Sequence, residues 1–139
     1  MNGWVYVFTP FAAWLAAGGL KFLVNSLRAR RLAFDLIGYG GLPSNHSAIV
    51  SSMAALIGWR EGVDNAAFGV ALTLAFIVMM DANGLRRQVG KHAERINRAA
   101  PLQAGEKPLR ARMGHSRLEI AAGILTGMAV AWVVNGLWP

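Results

Sequence analysis

Four stretches of this chain, residues 4–24, 44–59, 63–80 and 118–138, are almost free of charge. Each is long enough, or nearly so, to cross a bilayer as a helix. A hydrocarbon core of ~30 Å takes about 20 apolar residues in helical form, and only helices and closed barrels satisfy their own backbone inside it. The 139 residues therefore read as one domain, 1–139, of the all-α class: a polytopic membrane helical bundle of about four transmembrane helices. The first stretch has no basic segment before it and no obvious small-residue cleavage site after it, so it reads as a span and not as a signal peptide. Residues 44–59 are rich in alanine and serine, and residues 118–138 carry Gly123 and Gly127 as a G-x-x-x-G pair. Both patterns let helices approach closely in lipid. The tryptophans lie mostly near span ends, where interfacial anchors belong.

Charge sets the expected orientation. Three connections join the spans, at 25–43, 60–62 and 82–117. With four spans the first and third share a side, and with Lys21 at the edge of its span that side holds every one of the 14 basic residues except Arg60. The positive-inside rule then puts both long connections in the cytoplasm, the basic one between the third and fourth spans included, with both termini outside. The net charge of +7 is explained in this way without nucleic acid: the basic residues flank spans, and no DNA- or RNA-binding motif accompanies them. Cysteine is absent, which excludes disulfides and thiolate metal sites.

Three clusters can carry chemistry, and this topology brings them to one membrane face. Lys21 and Arg28 stand seven residues apart, on one face of a continuous helix. The segment Gly41-Leu42-Pro43-Ser44-Asn45-His46-Ser47 opens the second span, with Ser44 as its N-cap and free amides beyond it that favour an anion. Gly114-His115-Ser116-Arg117-Leu118-Glu119 opens the fourth, with His115 and Glu119 at i and i+4. Two histidines, several guanidiniums and two helix N-termini suit a phosphate ester, because arginine grips its oxygens and histidine serves as nucleophile or proton donor near neutral pH.

Lys21 with Arg28, Pro43-Ser44-Asn45-His46, and His115 with Glu119 together resemble the three-part signature of the type 2 phosphatidic acid phosphatases, shared with vanadium haloperoxidases: K-x6-R-P, P-S-G-H and S-R-x5-H-x3-D. More closely, the strings GGLPSNHSA, DANGLRRQVGKHAERIN and GHSRLEIAAG resemble the short divergent branch of that family, the acid phosphatase/vanadium-dependent haloperoxidase-related membrane proteins, over nearly the whole chain. The chain departs from the signature at Ala29, Asn45 and Glu119, and the third motif's Ser-Arg pair falls at Pro108 and Leu109. Arg110, Arg112, Arg86, Arg87 and Lys91 are the candidates to replace that arginine.

The resemblance implies a metal-independent lipid phosphate phosphohydrolase of a bacterial inner membrane, working without a cofactor at the cytoplasmic face. His115 would attack phosphorus, Glu119 would hold its imidazole, and His46 would protonate the leaving oxygen. Lys21, Arg28, Ser44, Asn45 and one or more of Arg110, Arg86, Arg87 and Lys91 would bind the phosphate. Its substrate and partners would be membrane lipids: phosphatidylglycerophosphate, phosphatidate or a prenyl phosphate. Four spans enclose little volume, so the site either opens sideways to lipid or is completed by another copy in a homo-oligomer.

Plainer readings stand beside these. A histidine at a helix start is often only a cap, Lys21 can snorkel to the interface, and Asp81 can form a structural ion pair with Arg86 or Arg87. His92 matches no motif and lies in a basic amphipathic stretch suited to anionic headgroups. Asp81-x-x-Gly84-x-Arg86 faintly resembles the opening motif of CDP-lipid alcohol phosphotransferases. Those enzymes need further aspartates for two metal ions, and the downstream acids are only Glu94, Glu106 and Glu119. The non-enzymatic reading is a small bundle that binds or transports an anionic lipid or solute.

Overall fold

The computed structural model describes residues 3–34, 41–99 and 105–138. All regular structure among them is helical: α1 (Trp4–Ala29), α2 (Asn45–Arg60), α3 (Ala66–Asn83), α4 (Leu85–Ala99) and α5 (Arg117–Leu137). Three helical segments, Trp4–Ala29, Ala66–Ala99 and Arg117–Leu137, are long and apolar enough to cross a membrane. The fourth expected span is α2, which has only 16 residues. It forms the centre of the bundle, packed against α1, α3 and α5, while α1 also packs on α5.

Small residues build the interior. On α1 the buried positions are Val5, Thr9, Ala13 and Ala17, one every four residues, so that a single narrow stripe faces the bundle. Thr9 returns its hydroxyl to the Val5 carbonyl at 2.6 Å. On α2 the buried serines do likewise, Ser51 donating to the Ser47 carbonyl at 2.6 Å and Ser52 to the Ile49 carbonyl at 2.8 Å. Large apolar side chains point the other way: Phe76 is 64% and Trp132 70% exposed, whereas Ala13 and Ala131 are fully buried. Water would penalise this arrangement. Lipid favours it, because helices there associate through close backbone approach and not through burial of bulk.

The closest approach is between α2 and α5, which run parallel. A Cβ on Gly123 would collide with Ser44 and Ser47, and one on Gly127 with the Ala48 carbonyl, Ser51 and Ser52. At that depth the Ser51 hydroxyl, which donates to the Ser47 carbonyl, also comes within 3.3 Å of the Ile124 carbonyl. Val5, Leu56 and Ala131 cluster at one end of the bundle, where Tyr6 donates to Glu61 and Arg60 Nε donates to Asn135 Oδ1 at 2.8 Å. Glu119 and Ser44 meet at the other end, the Ser44 amide donating to the Glu119 carbonyl at 2.9 Å. α1 therefore runs antiparallel to α2 and α5, and the latter two present their N-termini together.

Two connections differ from the sequence reading. α1 does not stop near residue 24 but continues to Ala29, where Arg30 closes it in the left-handed region at φ 52°. The helix simply outlasts its apolar part, since arginine is a good helix former. The basic connection 82–117 holds a helix of its own: Gly84 caps α3 and α4 begins at once. Leu85, Val89 and Ile96 form an exposed apolar stripe on α4, while Gly90 and Ala93 are buried. The returning chain packs closely on Gly90 through Ala111 and Met113, and the Asn97 side chain clamps the Leu109 backbone with two hydrogen bonds of 2.8 Å.

Candidate functional site

The bundle end that carries the helix N-termini contains a pocket of about 660 Å³. His46 and His115 both line it, their ring centroids 6.3 Å apart. Each is placed by its own helix start. Ser44, fully buried, caps α2 by accepting from the Ser47 amide at 3.3 Å and from the Ser47 hydroxyl at 3.0 Å. Ser116 caps α5 in a reciprocal capping box with Glu119: the Ser116 amide donates to Glu119 Oε2 at 2.8 Å, and the Glu119 amide to Ser116 Oγ at 3.2 Å.

His115 is the more tightly held of the two. It is only 8% exposed, and its amide donates to the Ala82 carbonyl at 2.9 Å, which ties it to the end of α3. Gly114 before it adopts φ 84°, and a Cβ there would strike Arg87 and the Ala82 carbonyl, so this turn requires glycine. His115 Nδ1 lies 3.3 Å from Glu119 Oε2. A carboxylate only accepts, so Nδ1 carries the proton and Nε2 is left with its lone pair. Burial, reinforced by the Lys21 ammonium, pushes His115 below the usual histidine range despite the opposing hydrogen bond and charge of Glu119. The imidazole is consequently neutral at pH 7.

His46 is exposed towards the pocket. Its Nε2 lies 3.4 Å from Arg86 Nη1, and Arg86 Nε donates to Asp81 Oδ2 at 2.6 Å. Asp81 and Arg86 thus form a bridge from the end of α3 to the start of α2. The Asp81–Arg86 pair expected as a structural ion pair is present, and it also reaches a site histidine. Arg86 has no acceptor atom, so its contact with His46 is a hydrogen bond only when His46 Nε2 is unprotonated.

Lys21 lines the pocket and continues the four-residue stripe of Val5, Thr9, Ala13 and Ala17 by one step. Asn25 is the next step and lines the pocket as well. Gly41, at φ 150°, packs where a Cβ would meet Asn25 and the stem of Lys21. Asn45 joins the lining, and its Oδ1 is buried without a hydrogen-bond partner among the described residues. Arg86, Arg110 and Arg112 complete the cationic wall; all three are among the candidates to replace the arginine that the third motif lacks.

Other predicted residues lie elsewhere. Arg28, Arg87 and Lys91 are exposed and do not line the pocket. Ser44 sits beneath it with its amide given to Glu119 and its hydroxyl accepting from Ser47. The helix amides ahead of those bonds are Asn45 and His46. Glu119 lies behind His115, outside the pocket lining, and holds that histidine through Nδ1. Sequence reasoning missed Asn25, although the stripe on α1 could have found it. It also missed the apolar lining from Trp14 to Phe22.

With this geometry in view, comparison with known proteins settles the lineage. The divergent PAP2 family model matches residues 4–130. The chain belongs to the divergent PAP2 family. It is also similar to a Bacillus subtilis (strain 168) protein named uncharacterized membrane protein YuiD, at 29% identity over 143 residues, covering 91% of this chain and 90% of that one. No solved structure matches. The chain is a helical membrane protein related by family to PAP2 phosphatases.

Proposed function

We propose that the protein is a lipid phosphate phosphatase that forms a phosphohistidine at His115, at the cytoplasmic face of a bacterial inner membrane. One observation carries this reading: two histidines face each other across a cationic pocket, and the more buried one is held by a carboxylate through Nδ1. His115 Nε2 attacks phosphorus as the ester P–O bond breaks, and His46 gives a proton to the leaving oxygen. Water then attacks the phosphohistidine, His46 takes a proton from it, and phosphate leaves with His115 restored. Lys21, Arg86 and the guanidiniums of Arg110 and Arg112 stabilise the charge on the equatorial oxygens, with the Asn45 and His46 amides at the α2 N-terminus.

Glu119 holds the tautomer and stabilises the imidazolium of the intermediate. Arg28, Arg87 and Lys91, outside the pocket, act as cationic surface that attracts an anionic headgroup. The substrates that fit are lipids with a phosphomonoester or diphosphate, among them phosphatidylglycerophosphate, phosphatidate and prenyl phosphates. The cytoplasmic assignment rests on the basic residues, all but Arg60 of which lie toward the pocket end of the chain's topology.

The test is phosphate release from a panel of these lipids by purified protein in detergent. Release that survives EDTA, is blocked by vanadate and is absent from His115→Ala supports the reading. No release from any lipid overturns it in favour of a bundle that binds or transports an anionic lipid or solute.

A further inference from the structure

The pocket does not end at the cationic cluster. From Lys21 it continues along α1 towards the middle of the helix, past Gly18 and Gly19, as far as Trp14 and Leu15, with Ile49 of α2 opposite. Seven residues separate Lys21 from Trp14, about 10 Å of helix, which is roughly two-thirds of the ~15 Å depth of one leaflet's hydrocarbon. Trp14 is 51% and Leu15 64% exposed, so this extension is open along its side to the surrounding lipid.

The two glycines make the space. Among the described residues, a Cβ on Gly19 would meet nothing within 4 Å, and one on Gly18 only the Asn45 side-chain nitrogen, at 3.7 Å. That contrasts with Gly123 and Gly127, whose absent side chains admit a neighbouring backbone. Glycine weakens a helix relative to alanine, and at positions 18 and 19 no close packing by the described residues offsets that. What the pair leaves is an apolar groove whose far end is cationic, through Lys21, Arg86, Arg110 and Arg112, with no carboxylate among the described residues of its lining. Charge and polarity together specify an anionic head joined to a hydrocarbon tail.

We propose that the groove beside Gly18 and Gly19 seats one hydrocarbon chain of a lipid phosphate, which enters sideways from the bilayer with its phosphate drawn to Lys21 and Arg86. The proposal rests on the phosphatase reading for the fate of the headgroup. A second chain, where the lipid has one, stays in the bilayer beyond Trp14 and Leu15.

Gly19→Leu adds a side chain at a groove position whose Cβ meets no described residue, and Gly69→Leu, where the same holds on α3 outside the pocket, is its control. The first readout is the ratio of kcat/KM for hexadecyl phosphate to that for butyl phosphate. It falls by about tenfold in Gly19→Leu, since a filled groove forfeits the many small packing contacts that seat the long chain, and it keeps its wild-type value in Gly69→Leu. The second readout needs no turnover: hexadecyl phosphate bearing a diazirine at mid-chain crosslinks to the peptide around Trp14 and Leu15. Unlabelled hexadecyl phosphate competes with that crosslink, hexadecanol does not, and Gly19→Leu abolishes it. Crosslinking without hydrolysis by the wild type would leave the chain seat standing and remove the phosphatase reading. An unchanged ratio in Gly19→Leu, or crosslinks confined to α3, overturns the proposal. So does a loss of oligomer in Gly19→Leu with both substrates slowed equally, which would make the groove a seat for a second copy of the chain.

Discussion

Replacing Glu119 with glutamine isolates the charge behind His115 from everything else that residue does. Glu119 Oε2 accepts both the Ser116 amide at 2.8 Å and His115 Nδ1 at 3.3 Å, while its main chain serves Ser116 Oγ and the Ser44 amide. The main-chain bonds are untouched by the change, and the single oxygen of a glutamine can serve the same two donors. The cap and the tautomer therefore persist, and only the charge is lost. A hydrogen bond to a charged group contributes about 1.5–3 kcal/mol and a neutral one about 0.5–1.5, so the loss is about 1–1.5 kcal/mol. It falls on the step in which the imidazole becomes cationic, and corresponds to a roughly five- to thirteenfold lower kcat. Glu119 also raises the His115 pKa by hydrogen bond and charge, so the acidic limb of kcat/KM moves to lower pH in the variant. Steady-state phosphate release from hexadecyl phosphate across pH, with thermal unfolding as the control for folding, measures both effects. A Glu119→Gln enzyme with wild-type kcat and an unmoved acidic limb would refute the role given to this carboxylate.

Three further outcomes are expected. His46→Ala slows turnover by about a hundred- to ten-thousandfold, the range of a general acid–base group, and substrates with a good leaving group such as p-nitrophenyl phosphate suffer least. Retention of full activity on poor leaving groups would remove His46 from the proton transfer. Gly127→Leu forces a side chain into the Ala48 carbonyl and Ser51, and destabilises the bundle by about 1–3 kcal/mol or more, read as a lower unfolding temperature in detergent; a wild-type temperature would contradict the α2–α5 packing. His115 is depressed in the fold, so the unfolded chain takes its proton first. Its contribution to stability is full above about pH 6.5 and is lost as pH falls below that value. Unfolding temperatures measured from about pH 8 to pH 5 should drop more steeply for the wild type than for His115→Gln.

Periodicity and charge made much of this fold legible in the sequence, and they failed where helix and loop chemistry coincide. The apolar runs mark α1, α3 and α5, and the basic residues flank one end of them, which is the end where His46 and His115 meet. Gly123 and Gly127 mark the α2–α5 contact, because only a close backbone approach uses both. α4 reads in sequence only as a basic amphipathic stretch within a connection, because its charge masks the helical spacing of Leu85, Val89 and Ile96. Arg86, Arg87 and Lys91 could not be separated in one dimension. On α4, Arg86 turns into the pocket while Arg87 packs against Gly114 outside it, a difference of about 100° per residue. Arg28 shares a helix face with Lys21, yet it stands beyond the reach of the pocket, since α1 outruns the bundle there. The groove beside Gly18 and Gly19 is invisible in sequence because glycines that admit a backbone and glycines that leave space look alike.

The central claim is a covalent bond between His115 and phosphorus, and it is tested most directly by trapping that bond. Wild-type protein would be mixed with hexadecyl phosphate, quenched in alkali to preserve phosphohistidine, digested and mapped by mass spectrometry. The account predicts phosphate on the peptide that contains His115 during turnover, an increase of that adduct in His46→Ala if water attack slows more than its formation, and none in His115→Ala. Turnover with no phosphate on His115 at any quench time, or phosphate on His46 instead, would contradict it.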